Sequence, residues 1–231
     1  MRDLAKLLLI VLLLLAIFWP GIQHHWEMTQ DPYFVPHDAA QYIPAFFKYD
    51  PVDPIPTTYV KEYYLHAVCP VLYRWLTRLG AQLGDVRHFQ IGMMYLAYAA
   101  FVGVMGRLGW VLGGALLSFA VAALTLTAWI FIGLGFIGGA PRMYAYPLIS
   151  LIIYALLRDR PMLLAMTAVL GGLLYPIVAI IAGLCLACWM LLKPLSGRGQ
   201  VSHWRFSRRV AIVALTGFLT LTALIPLLLG S

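Results

Sequence analysis

The strongest constraint on this chain is the length of its uncharged runs. No Asp, Glu, Lys or Arg occurs within 7–26, 88–106, 108–141, 161–192 or 210–231. A helix on the surface of a soluble protein carries charge along the face that meets water. A helix in lipid has no such face, and about 20 residues rising about 1.5 Å each cross a hydrocarbon core of about 30 Å. Composition agrees. Of 231 residues, 62% are apolar and 11% charged, and the mean hydropathy is +0.86. An ordinary soluble domain is about 25% charged. These features exclude a soluble enzyme, a disordered tail and a nucleic-acid-binding module. The excess of 16 Lys+Arg over 9 Asp+Glu, a formal charge of +7, is then expected in cytoplasmic loops and not opposite nucleic acid.

The runs divide the chain into about seven transmembrane helices. Residues 1–22 read as an uncleaved anchor: Arg2 and Lys6 precede the apolar stretch, and Trp19-Pro20-Gly21-Ile22 replaces a small-x-small cleavage site. Residues 88–106 form a second span ending at Arg107, 108–136 a third with a Gly-rich exit, and 143–157 a fourth. The run 161–192 is too long for one span. Gly171, Gly172, Tyr175 and Pro176 break it into 161–174 and 176–192, with the turn near Tyr175–Pro176. Residues 210–230 are the seventh.

Between the first and second spans, 23–87 forms an outer loop with two juxtamembrane helices. One runs over 38–49, headed by Asp38 with Gln41 reaching back and ended by Asp50-Pro51. The other, 59–84, is amphipathic. Val60, Tyr64, Val68, Val71, Trp75 and Leu79 form its apolar stripe, and it lies in the interface with its aromatics at headgroup level. Lys and Arg placement puts the N-terminus in the cytoplasm and the C-terminus outside, with Lys193, Arg198, Arg205, Arg208 and Arg209 inside. The expectation is a single all-α integral membrane domain, 1–231, of a bacterial inner membrane.

Candidate chemistry gathers on the outer side. Asp38 is either a general base or metal ligand facing a cavity, or a helix cap contributing about 1 kcal/mol. The cap is the simpler reading. His24, His25 and His37 share the loop; a divalent metal suits the residue types there, but no spacing fixes a site. Arg142 follows Gly138-Gly139-Ala140-Pro141 at the outer end of the fourth span. Its planar fork suits a phosphate, and it equally suits snorkelling to lipid headgroups. Cys185 and Cys188 have CxxC spacing inside an apolar run and read as small helix residues. No ionisable residue falls in the middle of a span, which argues against a proton-coupled transporter.

The strings HDAAQY, GGAPRMYAYP and GGLLYP, set in this seven-span layout, resemble the GT-C superfamily of membrane glycosyltransferases. These enzymes use polyprenyl-phosphate-linked sugars. The resemblance is of layout and covers the whole chain. It implies that Asp38 is the base or metal ligand of the first outer loop and that the partners are membrane lipids and a lipid-linked sugar. Arg142 as the phosphate contact comes from its placement, not from a family motif. Two departures stand out. The position beside Asp38 is Ala39 where the family commonly has a second acid, and family members usually continue past the seventh span, where this chain stops at Ser231. The alternative is therefore a non-catalytic accessory subunit of a larger membrane complex, of respiratory or photosynthetic type, whose partners are the other subunits.

Overall fold

The computed structural model describes residues 69–84, 86–136 and 141–196, with further helical residues scattered over 9–27 and at 216–217. Among the described residues there is no strand. The elements are α1 (Val71–Leu83), α2 (Val86–Phe136), a 3-10 turn (Pro141–Tyr144), α3 (Ala145–Leu157), α4 (Pro161–Leu174) and α5 (Pro176–Ser196). The N-terminal segment adds the apolar helix Leu12–Gly21. The all-α expectation holds. Prolines open three of these elements: Pro141, Pro161 and Pro176 each stand first. The first turn of a helix has no intrahelical partner for its N–H groups, so a residue without one costs nothing there.

α2 is two helices joined at a sharp break. Gly113 (φ −159°, ψ 21°) and Gly114 (φ 75°, ψ −156°) leave the helical region. The Gly114 conformation is one that only glycine adopts readily. The chain folds back there. Tyr98 Oη donates to the carbonyls of Thr125 and Leu126, each at 3.3 Å. Along a straight helix those 27 positions would span about 40 Å. Ser118 Oγ donates to Gly106 O at 2.8 Å. At Gly109 the arms touch: a Cβ there would stand 2.6 Å from Leu117 O. Arms 86–112 and 115–136 are thus an antiparallel hairpin. The sequence reading placed this turn at Arg107. The structure corrects it by about two helical turns, because the paired glycines free the backbone and a charge merely marks polarity.

Seven spans are not what the described residues display. One stretch of 39 residues, His88–Leu126, is long and apolar enough to cross a membrane, with mean hydropathy 1.9 over an 18-residue window. It is the stretch that doubles back. Helices α3 and α4 have 13 and 14 residues, short of the roughly 20 a perpendicular crossing needs. The expected break at Tyr175–Pro176 is present. Tyr175 is extended (φ −157°, ψ 97°) and its N–H caps Gly171 O at 2.7 Å.

Helices α3, α4 and α5 and the first arm of α2 share one core. It holds Met94, Ala97, Tyr98, Met143, Leu148, Ile152, Leu164, Val178 and Leu186. Between α4 and α5 the contact is made by small residues: Ala165, Ala168, Ala179 and Ala182 are all buried. A Cβ on Gly171 would lie 2.7 Å from Ala179 N. In lipid, where apolar surface gains nothing by leaving the solvent, such close backbone approach is what binds helices together. Three buried hydroxyls are satisfied by the preceding turn: Thr125 donates to Val121 O (2.7 Å), Thr167 to Leu163 O (2.8 Å) and Ser150 to Pro147 O (2.8 Å). The outward faces are apolar as well, with Leu116 82% exposed and Leu124, Met162 and Leu184 all exposed.

Helix α1 covers the described part of the amphipathic segment, and the face it packs against α2 is distinct from the apolar stripe. Trp75 and Leu79 are exposed, and Tyr73, Thr77 and Gly80 are buried. Phe89 sits directly over Gly80, where any side chain would collide with its ring. Thr77 Oγ1 donates to Tyr73 O and receives the side-chain amide of Gln90. The outward face then carries Trp75, Arg78, Leu79 and Gln82 around one shallow concavity, a mixture suited to headgroup level.

Candidate functional site

Asp38 lies outside the described residues, as do His37 and the expected 38–49 helix. Arg142 is described. It sits on the 3-10 turn that leads into α3, half-buried, between the buried Pro141 and Met143. Pro141 presets the backbone of this turn, and Met143, fully enclosed in the core, pins it. The side chain of Arg142 is therefore carried on a rigid element and not on a free loop end.

Two residues further, Tyr144 is buried, and its Oη has no hydrogen-bond partner among the described residues. A phenol in that state has one donor and unused acceptor capacity. The turn thus carries a half-buried cation and, two residues on and on a different face, an enclosed hydroxyl. A guanidinium carried in this way can hold an oxyanion through its planar fork. Tyr146, next on α3, packs its ring against Phe101 of α2 at 5.8 Å between centroids, which ties this end of α3 to the hairpin.

Among the described residues no group of three or more His, Cys, Asp or Glu stands together as a metal site would require. Cys69, Cys185 and Cys188 are free thiols. Cys185 and Cys188 lie inside α5, as the reading of them as helix residues expects.

Two features escaped the sequence reading. One is Tyr144: nothing in the string GGAPRMYAYP marks its phenol, and only the fold shows it enclosed without a hydrogen-bond partner among the described residues. A cleft lined by Trp19, Gln23, Trp26, Glu27 and Tyr95 joins residues nearly 70 positions apart. The i, i+4, i+7, i+8 spacing of its first four members was the one available signal.

Comparison with known families, curated proteins and solved structures returns no match. The class of protein is set by the chain's own features: an α-helical bundle with apolar outer faces and one stretch long and apolar enough for a membrane.

Proposed function

We propose that this chain is a multi-pass membrane protein of GT-C-like layout that transfers a sugar from a polyprenyl-phosphate donor at the outer face of a bacterial inner membrane. The observation that carries the reading is the 3-10 turn Pro141–Tyr144, which holds Arg142 half-buried on a pinned element at the mouth of α3. In this reading each arm of α2 crosses the membrane, the Gly113–Gly114 turn faces the cytoplasm, and the 141–144 turn faces outside. Arg142 binds the donor phosphate and stabilises the charge that grows on it as the sugar leaves. Asp38 takes the proton of the acceptor hydroxyl, or holds a divalent ion that does so.

The test uses purified protein in liposomes with a radiolabelled polyprenyl-phosphate sugar and a membrane extract as acceptor source. Transfer is expected, with loss in Asp38→Asn and a fall of about 100-fold in Arg142→Gln. Transfer undiminished in Asp38→Asn removes that residue's role, and neither binding nor transfer by the native protein overturns the reading.

A second reading is the accessory subunit. It is favoured by the outer face of the hairpin, where Leu112, Leu116, Leu117 and Leu124 are all exposed and are as suited to a neighbouring subunit as to lipid. Recovery from gentle detergent in fixed stoichiometry with a large complex is its signature. Recovery alone, with a polyprenyl-phosphate lipid bound, favours the transferase.

A further inference from the structure

The second concavity has a chemistry of its own. Between the N-terminal helical segment and the first arm of α2 lies an open cleft of about 660 Å³, lined by Trp19, Gln23, Trp26, Glu27 and Tyr95. That volume lies within the range of about 300–1,000 Å³ usual for small-molecule sites. Four of the five residues come from one helical face, two turns long, and Tyr95 closes the cleft from α2.

The lining carries one formal charge, and it is negative. Glu27 is held in place by Gln23 one turn earlier, whose Nε2 donates to Glu27 Oε1 at 3.1 Å. That bond orients the carboxylate without neutralising it. The rest of the wall is aromatic. Trp26 and Tyr95 stand 6.0 Å apart between ring centroids and are tilted by 43°, so they splay and do not stack flat. Trp19 is 58% exposed and Trp26 48% exposed, which leaves indole surface open to a ligand. The face of an aromatic ring is the negative pole of its quadrupole. Rings and carboxylate therefore act in the same sense: they attract a cation and disfavour an anion. A compact metal ion is poorly served by one carboxylate with only an amide and a phenol oxygen beside it. An alkylated ammonium, weakly hydrated and broad, fits π faces with one counter-charge.

We propose that this cleft binds an alkylammonium cation, carried either by a lipid headgroup or by a free quaternary amine. The inference does not rest on the transferase reading, and either can fail while the other stands.

The experiment reconstitutes the full chain in nanodiscs made only of phosphatidylglycerol. Tetramethylammonium is titrated in, and binding is read by saturation-transfer NMR on its methyl signal. Binding is expected, weakened about tenfold or more in Glu27→Gln and in Tyr95→Leu, and retained in Tyr95→Phe, which keeps the ring. Circular dichroism checks that each variant stays helical. Discs that also contain phosphatidylcholine separate the sources: competition with tetramethylammonium identifies the lipid headgroup as occupant, and undiminished binding identifies the free amine. No binding by the native chain overturns the proposal. So does binding that Glu27→Gln and Tyr95→Leu leave unchanged, or equal loss in Tyr95→Phe and Tyr95→Leu.

Discussion

Single glycines govern where this chain bends and where its helices touch. Gly114 has φ 75° and open space around its Cα, so a methyl group there meets no atom and strains only the backbone. Gly114→Ala should cost about 1–3 kcal/mol, seen as a lower unfolding temperature in detergent micelles. Gly103, helical with nothing near it, is the control: Gly103→Ala should be neutral or stabilise by up to about 1 kcal/mol. Polar residues make a different point. Thr77 and Gln90 are buried and bond each other across α1 and α2. Thr77→Val strips the Gln90 amide of that acceptor, and a loss of about 1–3 kcal/mol is expected in the same assay. Cys69 is buried too, and desolvation pushes its thiol up to about 12, against a smaller opposing pull from the Arg74 charge. In the folded chain the proton therefore stays on well above the usual range near 8.5. The associated stability is intact below about pH 8.5 and is lost as the pH rises through about 12. In a Cys185→Ser, Cys188→Ser background, Cys69 should resist maleimide at pH 8 until denaturant is added.

The elements show how length and packing divide the work. The α2 hairpin is closed by contacts between its arms, so its geometry can be tested covalently. A Cβ on Gly106 would lie 3.6 Å from Ala122 Cβ, which is within the usual disulfide range of about 3.5–4.5 Å. With the native cysteines removed, Gly106→Cys combined with Ala122→Cys should cross-link under mild oxidation. In one straight helix the two positions would stand about 24 Å apart and could not. The α4–α5 pair is held at both ends. Gly171 meets Ala179 beside the Tyr175 turn, and Trp189 Nε1 donates to Asp159 Oδ1 at 2.7 Å beyond the other end of α4. Asp159 itself occupies the turn after α3 with φ 54°, a conformation Asp tolerates better than most residues. The Trp189 bond is exposed, so Trp189→Phe should cost no more than about 1 kcal/mol.

For the whole molecule the prediction is topological. If the proposed orientation holds, a single cysteine at Asp159 reacts with an impermeant maleimide only from the cytoplasmic side of sealed vesicles, and one at Arg142 only from the outside. Helical class, apolar outer faces and the Tyr175 break were all legible in the residues themselves. Uncharged runs, periodicity and a proline after a glycine pair act locally, so no knowledge of neighbours is needed to read them. The candidate site at 141–144 was half legible: Arg142 declares its chemistry by type, whereas its seat on a turn pinned by Met143 needed the fold. Three features depended on the assembled bundle. The α2 turn fell at Gly113–Gly114 and not at Arg107, because glycines at 106 and 109 let the arms meet only in that register. The face of α1 that packs on α2, Tyr73, Thr77 and Gly80, is defined by partners such as Phe89 over Gly80 that periodicity does not name. The Trp19–Glu27–Tyr95 cleft exists only where two distant segments come together. Local sequence codes for the backbone's preferences and each side chain's affinity for lipid or water. Which faces touch is settled by shape, and shape belongs to the pair of surfaces and to neither strip of sequence alone.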